Sequence, residues 1–229
     1  MRQRMTVQAA NFFRRILRGR VLLPLLAMLP LQSWAAPPPG LSEQKIIFIR
    51  HGEKPAQGLG QVNCQGLNRA LALPAVLLAK FGKPDFVFAS DPHDKKPDGD
   101  QTYNYVRPLL TVAPTAVQLG LPINTSFGYE NIQGLQQELA APRYQNAVVL
   151  VAWEHRLLEE MVRAMLDRMG GQASMVPHWK GSDFDSIYVV TVRRQEVNGA
   201  GQATASFALE HQQLNGQSPA CPGAATLKP

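Results

Sequence analysis

Two histidines follow directly on apolar runs, and their neighbours give them something to do. The run 45–50 leads into Arg50-His51-Gly52-Glu53-Lys54-Pro55, and the run 147–153 leads into Glu154-His155. A neutral imidazole is available near pH 7, with an ordinary pKa of about 6.5. One such ring can attack a phosphorus atom while a second donates a hydrogen bond to a phosphate oxygen. Arg50 adds a permanent charge whose forked donors match two phosphate oxygens, and Gly52 would let the backbone come close to a bound anion. An Arg-His-Gly triplet at the end of a buried strand therefore points to phosphoryl chemistry.

The elements needed to bring these groups together are legible in the hydrophobic pattern. Runs 45–50, 85–90, 147–153 and 186–192 are short and rich in β-branched or aromatic residues, and the first three are almost continuously apolar. Strands covered on both faces have this signature. Helical patterns lie between them at 66–81, with Pro74 expected to kink or restart the helix, at 112–119 before Gly120, and at 157–169 before Gly170-Gly171. The methionines of 157–169 fall at core spacing. A turn at 199–201 should precede a last strand near 204–210, and the tail beyond Gln212 should be irregular. Strands alternating with helices predict an α/β domain with a largely parallel central sheet between helical layers, a three-layer sandwich. Ligands of such sheets bind at the carboxyl ends of the strands, where both histidines fall.

The set Ile49-Arg50-His51-Gly52-Glu53-Lys54 resembles the opening motif of the histidine phosphatase superfamily, which includes phosphoglycerate mutases and many phosphatases. Further segments agree in order: 66–70 with the first helix, 86–90 with the second strand, Arg107 and then Thr115 with the second arginine and its helix. Val149 to His155 resembles the strand that carries the second histidine. The resemblance spans about residues 45 to 192. It implies a phosphoglycerate mutase-like fold in which His51 becomes phosphorylated while Arg50, Arg107 and His155 bind the phosphate. It implies no metal or nucleotide cofactor, and a small-molecule phosphomonoester as substrate.

The group that would protonate the leaving oxygen is left open. The mutase-like branch has a Glu after the second arginine's helix, and Glu130 is the nearest candidate. The acid-phosphatase branch has an Asp directly after the second histidine, where this chain has Arg156. Glu154 precedes His155, but strand alternation would turn it away; Asp91, after the second strand, is the third option. Glu53 and Lys54 fit the pocket entrance or a solvated loop equally well, as does the charged stretch 91–100 for a substrate-selecting rim. The segments 178–181 and 183–185, before the last long strand, could reach the pocket rim, while turn hydrogen bonding suits Asp183 and Asp185 better. Three other readings stand beside a phosphatase: a phosphomutase or phosphotransferase, a catalytically silent phosphate-binding protein, and a metal hydrolase using His51, His93, His155 and Asp91. The two arginines oppose the last, because a cationic pocket repels a divalent ion.

Composition bounds the rest. Six arginines precede a short apolar run at 21–31, and Ser33-Trp34-Ala35 offers small residues at the two positions that signal cleavage requires. We expect a signal peptide at 1–35, its apolar run short and too interrupted by Pro24 and Pro30 to span a bilayer comfortably; an uncleaved membrane anchor is the alternative. One catalytic domain would then occupy 36–229, in the periplasm or secreted. Removing those six arginines from 23 basic residues leaves 17 against 17 acidic ones, so nothing suggests a nucleic-acid partner. Cys64 and Cys221 are the only cysteines; an oxidising compartment would permit a bond between them, and two free thiols are the alternative.

Overall fold

The computed structural model describes residues 40–197 and 200–223. The expected signal segment lies outside the described residues. Six strands form the main sheet: β1 (Leu41–Arg50), β2 (Phe86–Ala89), β5 (Ile123–Asn124), β6 (Val148–Trp153), β7 (Ser186–Val197) and β8 (Ala200–His211). Their spatial order is β5-β2-β6-β1-β7-β8. β5, β2, β6 and β1 are parallel, and β7 and β8 close the sheet antiparallel. Two further strands, β3 (Lys95–Asp98) and β4 (Gln101–Asn104), make a separate hairpin.

The near-continuous hydrophobicity of the central strands follows from burial on both faces. Ile47 and Ile49 of β1, with Leu150 and Ala152 of β6, pack under helix α1 (Cys64–Phe81) and helix α2 (Arg107–Leu119). The alternate residues Ile46 and Phe48, with Val149, Val151 and Trp153, pack under helix α3 (Ile132–Leu139) and helix α4 (His155–Arg168). The side-chain period of two sends successive residues to opposite helical layers, which gives the three-layer α/β sandwich with a largely parallel sheet.

Register decides what meets at the working edge. Arg50 pairs with Trp153, and Ala89 with Ala152, so β1, β6 and β2 end at one level. The His51 amide donates to the Trp153 carbonyl at 3.1 Å. β7 runs the other way, with Ile187 opposite Ile49, and its beginning therefore delivers the turn 180–185 to the same edge.

Several boundaries differ from expectation for local reasons. α1 runs unbroken through Pro74, which is buried in the packed face, and starts at Cys64 because the Asn63 side chain accepts from the Gly66 amide at 2.8 Å. α2 starts at Arg107 with Pro108 in its first turn, a position that wastes no hydrogen bond. Residues 198 and 199 are outside the described residues, and β8 already includes Gly201, opposite Glu196. The β3–β4 hairpin, the two-residue β5 and the short α3 were not indicated by apolar periodicity.

Candidate active site

Each candidate residue is positioned by an element end. His51, immediately after β1, is only 3 % exposed, and its Nδ1 lies 2.8 Å from the Gly52 carbonyl oxygen. A carbonyl can only accept, so Nδ1 carries the proton and Nε2 keeps the lone pair. Burial, reinforced by the charge of Arg107, holds the imidazole pKa well below 6.5. His51 is thus a neutral base at physiological pH with one free nitrogen.

Arg50 is buried beside it. Its Nη1 donates to the carbonyls of Gly181 at 2.6 Å and Asp183 at 3.0 Å, and its guanidinium carbon lies 3.9 Å from the centre of the Phe184 ring. Burial lowers its pKa to about 10, which still leaves it charged. Arg107, at the start of α2, bonds through Nη1 to Asp98 of the hairpin and stands 4.9 Å from the Tyr105 ring centre. His155 opens α4. A methyl group added at Gly181 would stand 3.9 Å from His155 Nε2, so this imidazole faces the turn that holds Arg50.

Glu154 is the N-cap of α4. Its carboxylate accepts from the Leu157 amide at 3.0 Å and lies 3.0 Å from His155 Nδ1. That last approach is too poorly directed to be a hydrogen bond, and Nδ1 is left unsatisfied. Burial alone would raise the Glu154 pKa, but His155 and the Leu157 amide outweigh it and hold the value at about 2. The carboxylate is within electrostatic reach of His51 and Arg50. Strand alternation does not turn it away because β6 has ended at Trp153.

Glu130 connects to this cluster through aromatic rings. It is exposed and accepts from the Tyr129 hydroxyl at 3.0 Å, and the path of contacts to His51 crosses the rings of Tyr129 and Tyr105. Asp91 accepts from the His93 amide at 2.8 Å in an exposed turn. Among the described residues no three His, Cys, Asp or Glu side chains gather as metal ligands.

Neighbouring residues take different work from the expected one. Gly52 serves helix packing: a side chain there would come within 2.9 Å of the Gly66 carbonyl, and its amide is already bonded to the Thr111 hydroxyl at 2.9 Å. Glu53 is buried against Arg69, which holds it through Nε and Nη2, so it braces α1 rather than the entrance. Lys54 bonds Asp98 at 2.6 Å. Asp183 and Asp185 accept backbone amides of their own turn and of the tail, as turn residues should.

Tyr105 was missed. Asp98 lies in the stretch 91–100, and Gly181 and Phe184 in the segments 178–181 and 183–185, all expected only as rim candidates; the Asp98-Gly99 pair marks a hairpin, and Gly99 has φ +72° at that turn.

Solved structures that resemble this chain are histidine phosphatase superfamily proteins. A candidate phosphohistidine phosphatase SixA from Nakamurella multipartitia is 15% identical, with a TM-score of 0.48 over 74% of this chain and 96% of its own. A mycobacterial glucosyl-3-phosphoglycerate phosphatase is 13% identical, with a TM-score of 0.46 over 73% and 97%. A phosphoglycerate mutase from Plasmodium falciparum is 12% identical, with a TM-score of 0.43 over 72% and 89%. No family model and no curated protein matches the sequence.

Proposed function

We propose that this chain is an exported phosphatase of the histidine phosphatase superfamily, hydrolysing small phosphomonoesters through a phosphohistidine at His51. One observation carries the reading. Buried side-chain donors are nearly always paired, yet Arg50 Nε and Arg107 Nε are buried here without partners. Both guanidinium groups lie within electrostatic reach of His51, a neutral imidazole with a free nitrogen. Unpaired cationic donors around a nucleophile call for an anion with several oxygens, and a phosphoryl group supplies one.

The Nε2 lone pair of His51 forms a bond to phosphorus as the bond to the ester oxygen breaks, and the departing oxygen takes a proton from solvent. Water then attacks the phosphohistidine, the P–N bond breaks, and inorganic phosphate leaves. Arg50, Arg107 and His155 balance charge on the equatorial oxygens during both transfers. Glu154 is the carboxylate nearest the reaction, and its low pKa makes it an anion in the free enzyme. It lies 3.0 Å from His155 Nδ1 and can accept a proton from the attacking water.

Turnover of p-nitrophenyl phosphate tests this. His51→Ala should lower kcat/KM by about 1,000-fold or more with the fold intact. Glu154→Gln should cost roughly 10- to 100-fold, the worth of a hydrogen bond to a charged group, while Glu130→Gln stays within about twofold. Near wild-type activity in His51→Ala would end the nucleophile assignment. Wild-type protein that binds phosphate without turnover would make it a silent binding protein. New esters formed with added alcohols would make it a transferase.

A further inference from the structure

The same cluster contains a buried hydroxyl that the mechanism above does not use. Tyr105, two residues before Arg107, is fully buried, and its OH has no hydrogen-bond partner. The surroundings of that oxygen are specific. The ring meets the His51 ring edge-on, with centroids 5.9 Å apart and planes at 90°. The Arg107 guanidinium lies over its face, and that group comes near the phenolic oxygen without a well-directed hydrogen bond. The oxygen is also within electrostatic reach of Arg50 and of Glu154.

A buried phenol that bonds to nothing costs stability, because it has given up water for no partner. Phenylalanine would fill the same space at lower cost. Burial raises the phenol pKa from its usual value near 10, so the group stays protonated and can only donate or weakly accept. Its neighbours include two guanidinium groups, which have nothing to accept its proton, and the Glu154 carboxylate, which forms no hydrogen bond with it. The missing partner is therefore an acceptor that the two arginines attract as well, and an anionic oxygen fits all three.

We infer that Tyr105 is a further phosphate-binding residue, its hydroxyl donating to an oxygen of the transferring phosphoryl group beside Arg50 and Arg107. The inference rests on the proposed phosphatase reading for its ligand, but the anion site can be probed without turnover. A neutral donor in a cationic cup has a use: it adds a directed hydrogen bond without a third positive charge to depress the nucleophile's neighbours further. The bond forms only when the anion arrives.

The test is Tyr105→Phe in the full chain, which keeps the ring and its contacts with Arg107 and His51. Three measurements apply: kcat/KM on p-nitrophenyl phosphate, inhibition by orthovanadate, and thermal stability with and without orthovanadate. The expected result is a kcat/KM lower by roughly 10- to 100-fold, a vanadate inhibition constant raised by a similar factor, and a smaller vanadate-induced rise in Tm. Tm without vanadate should not fall. Catalysis and vanadate binding within twofold of wild type would overturn the inference. So would a Tyr105→Phe protein that is less stable without anion or fails to fold, since the hydroxyl would then serve structure. His51→Ala separates the two levels. If it is inactive while Tyr105→Phe behaves as wild type, only the Tyr105 assignment falls. If it is fully active, the phosphohistidine reading falls, and the vanadate-induced Tm shift still decides whether Tyr105 holds the anion.

Discussion

At the scale of single residues, the site depends on keeping an imidazole uncharged among cations. Burial and the Arg107 charge both disfavour His51 protonation, and the bond from Nδ1 to the Gly52 carbonyl fixes the tautomer. In the unfolded chain the same ring would titrate near 6.5. Below that pH the unfolded state binds a proton that the native state refuses. The contribution of His51 to stability is therefore whole above about pH 6.5 and is lost as pH falls towards the depressed native value, at up to about 1.4 kcal/mol per pH unit. Nitrogen NMR of the imidazole should show the Nδ1–H neutral form throughout pH 8 to 6. A midpoint at or above 6.5 would contradict the buried, cation-flanked setting. The sequence made His51 legible as a candidate nucleophile because its neighbours in the chain, Arg50 and Gly52, belong to the same motif. Tyr105 was invisible, since its role comes from contacts with His51 and Arg107 that no local spacing records.

At the scale of elements, the parallel strands β1 and β6 were readable from apolar runs, and with them the meeting of His51 and Glu154-His155 at one edge. The hairpin β3–β4 was not, because its strands are polar and exposed and lack the alternation that marks a half-buried pair. Yet the hairpin controls Arg107. Asp98 is buried at its tip, where it accepts from Arg107, from Lys54 at 2.6 Å and from the Gly60 amide at 3.2 Å. Burial tends to raise its pKa, but Lys54 and Arg107 together hold the carboxyl below the usual range. Its contribution is thus present above the ordinary carboxylate pKa and lost as pH drops through the lowered one. Removing the charge with Asp98→Asn strands a buried guanidinium, a change that costs on the order of 3–5 kcal/mol. We expect a Tm lower by about 10 °C and a raised KM for phosphate esters, because Arg107 loses the contact that aims it. Unchanged Tm and KM would show that the hairpin merely covers the site.

At the scale of the whole molecule, the C-terminal tail turns back onto the element that braces the loop after His51. Cys221 is bonded to Cys64 at the start of α1, across 157 positions and with Cα atoms 4.6 Å apart. Beside the bond, Asn68 donates to the carbonyls of Ser218 and Ala220 at 2.9 and 2.8 Å. One helical turn on, Arg69 joins Glu53 to Asp185, Gln212 and Asn215. The tail and the loop after His51 therefore share one buried arginine. The disulfide that sequence left undecided is best explained by function in an oxidising compartment, which supports the proposed export. Protein recovered from the periplasm should begin at Ala36 and contain no free thiol; a mature chain retaining residues 1–35, or two reduced cysteines, would remove that support. Closing so long a loop is worth up to about 5 kcal/mol in the chain-entropy account. Because the bond ties the tail to the start of α1, replacing both cysteines by serine should lower Tm markedly. The kcat/KM of the protein that remains folded should stay within about twofold of wild type. A large loss of activity at temperatures well below the new Tm would mean that the tail shapes the site itself rather than holding its support in place.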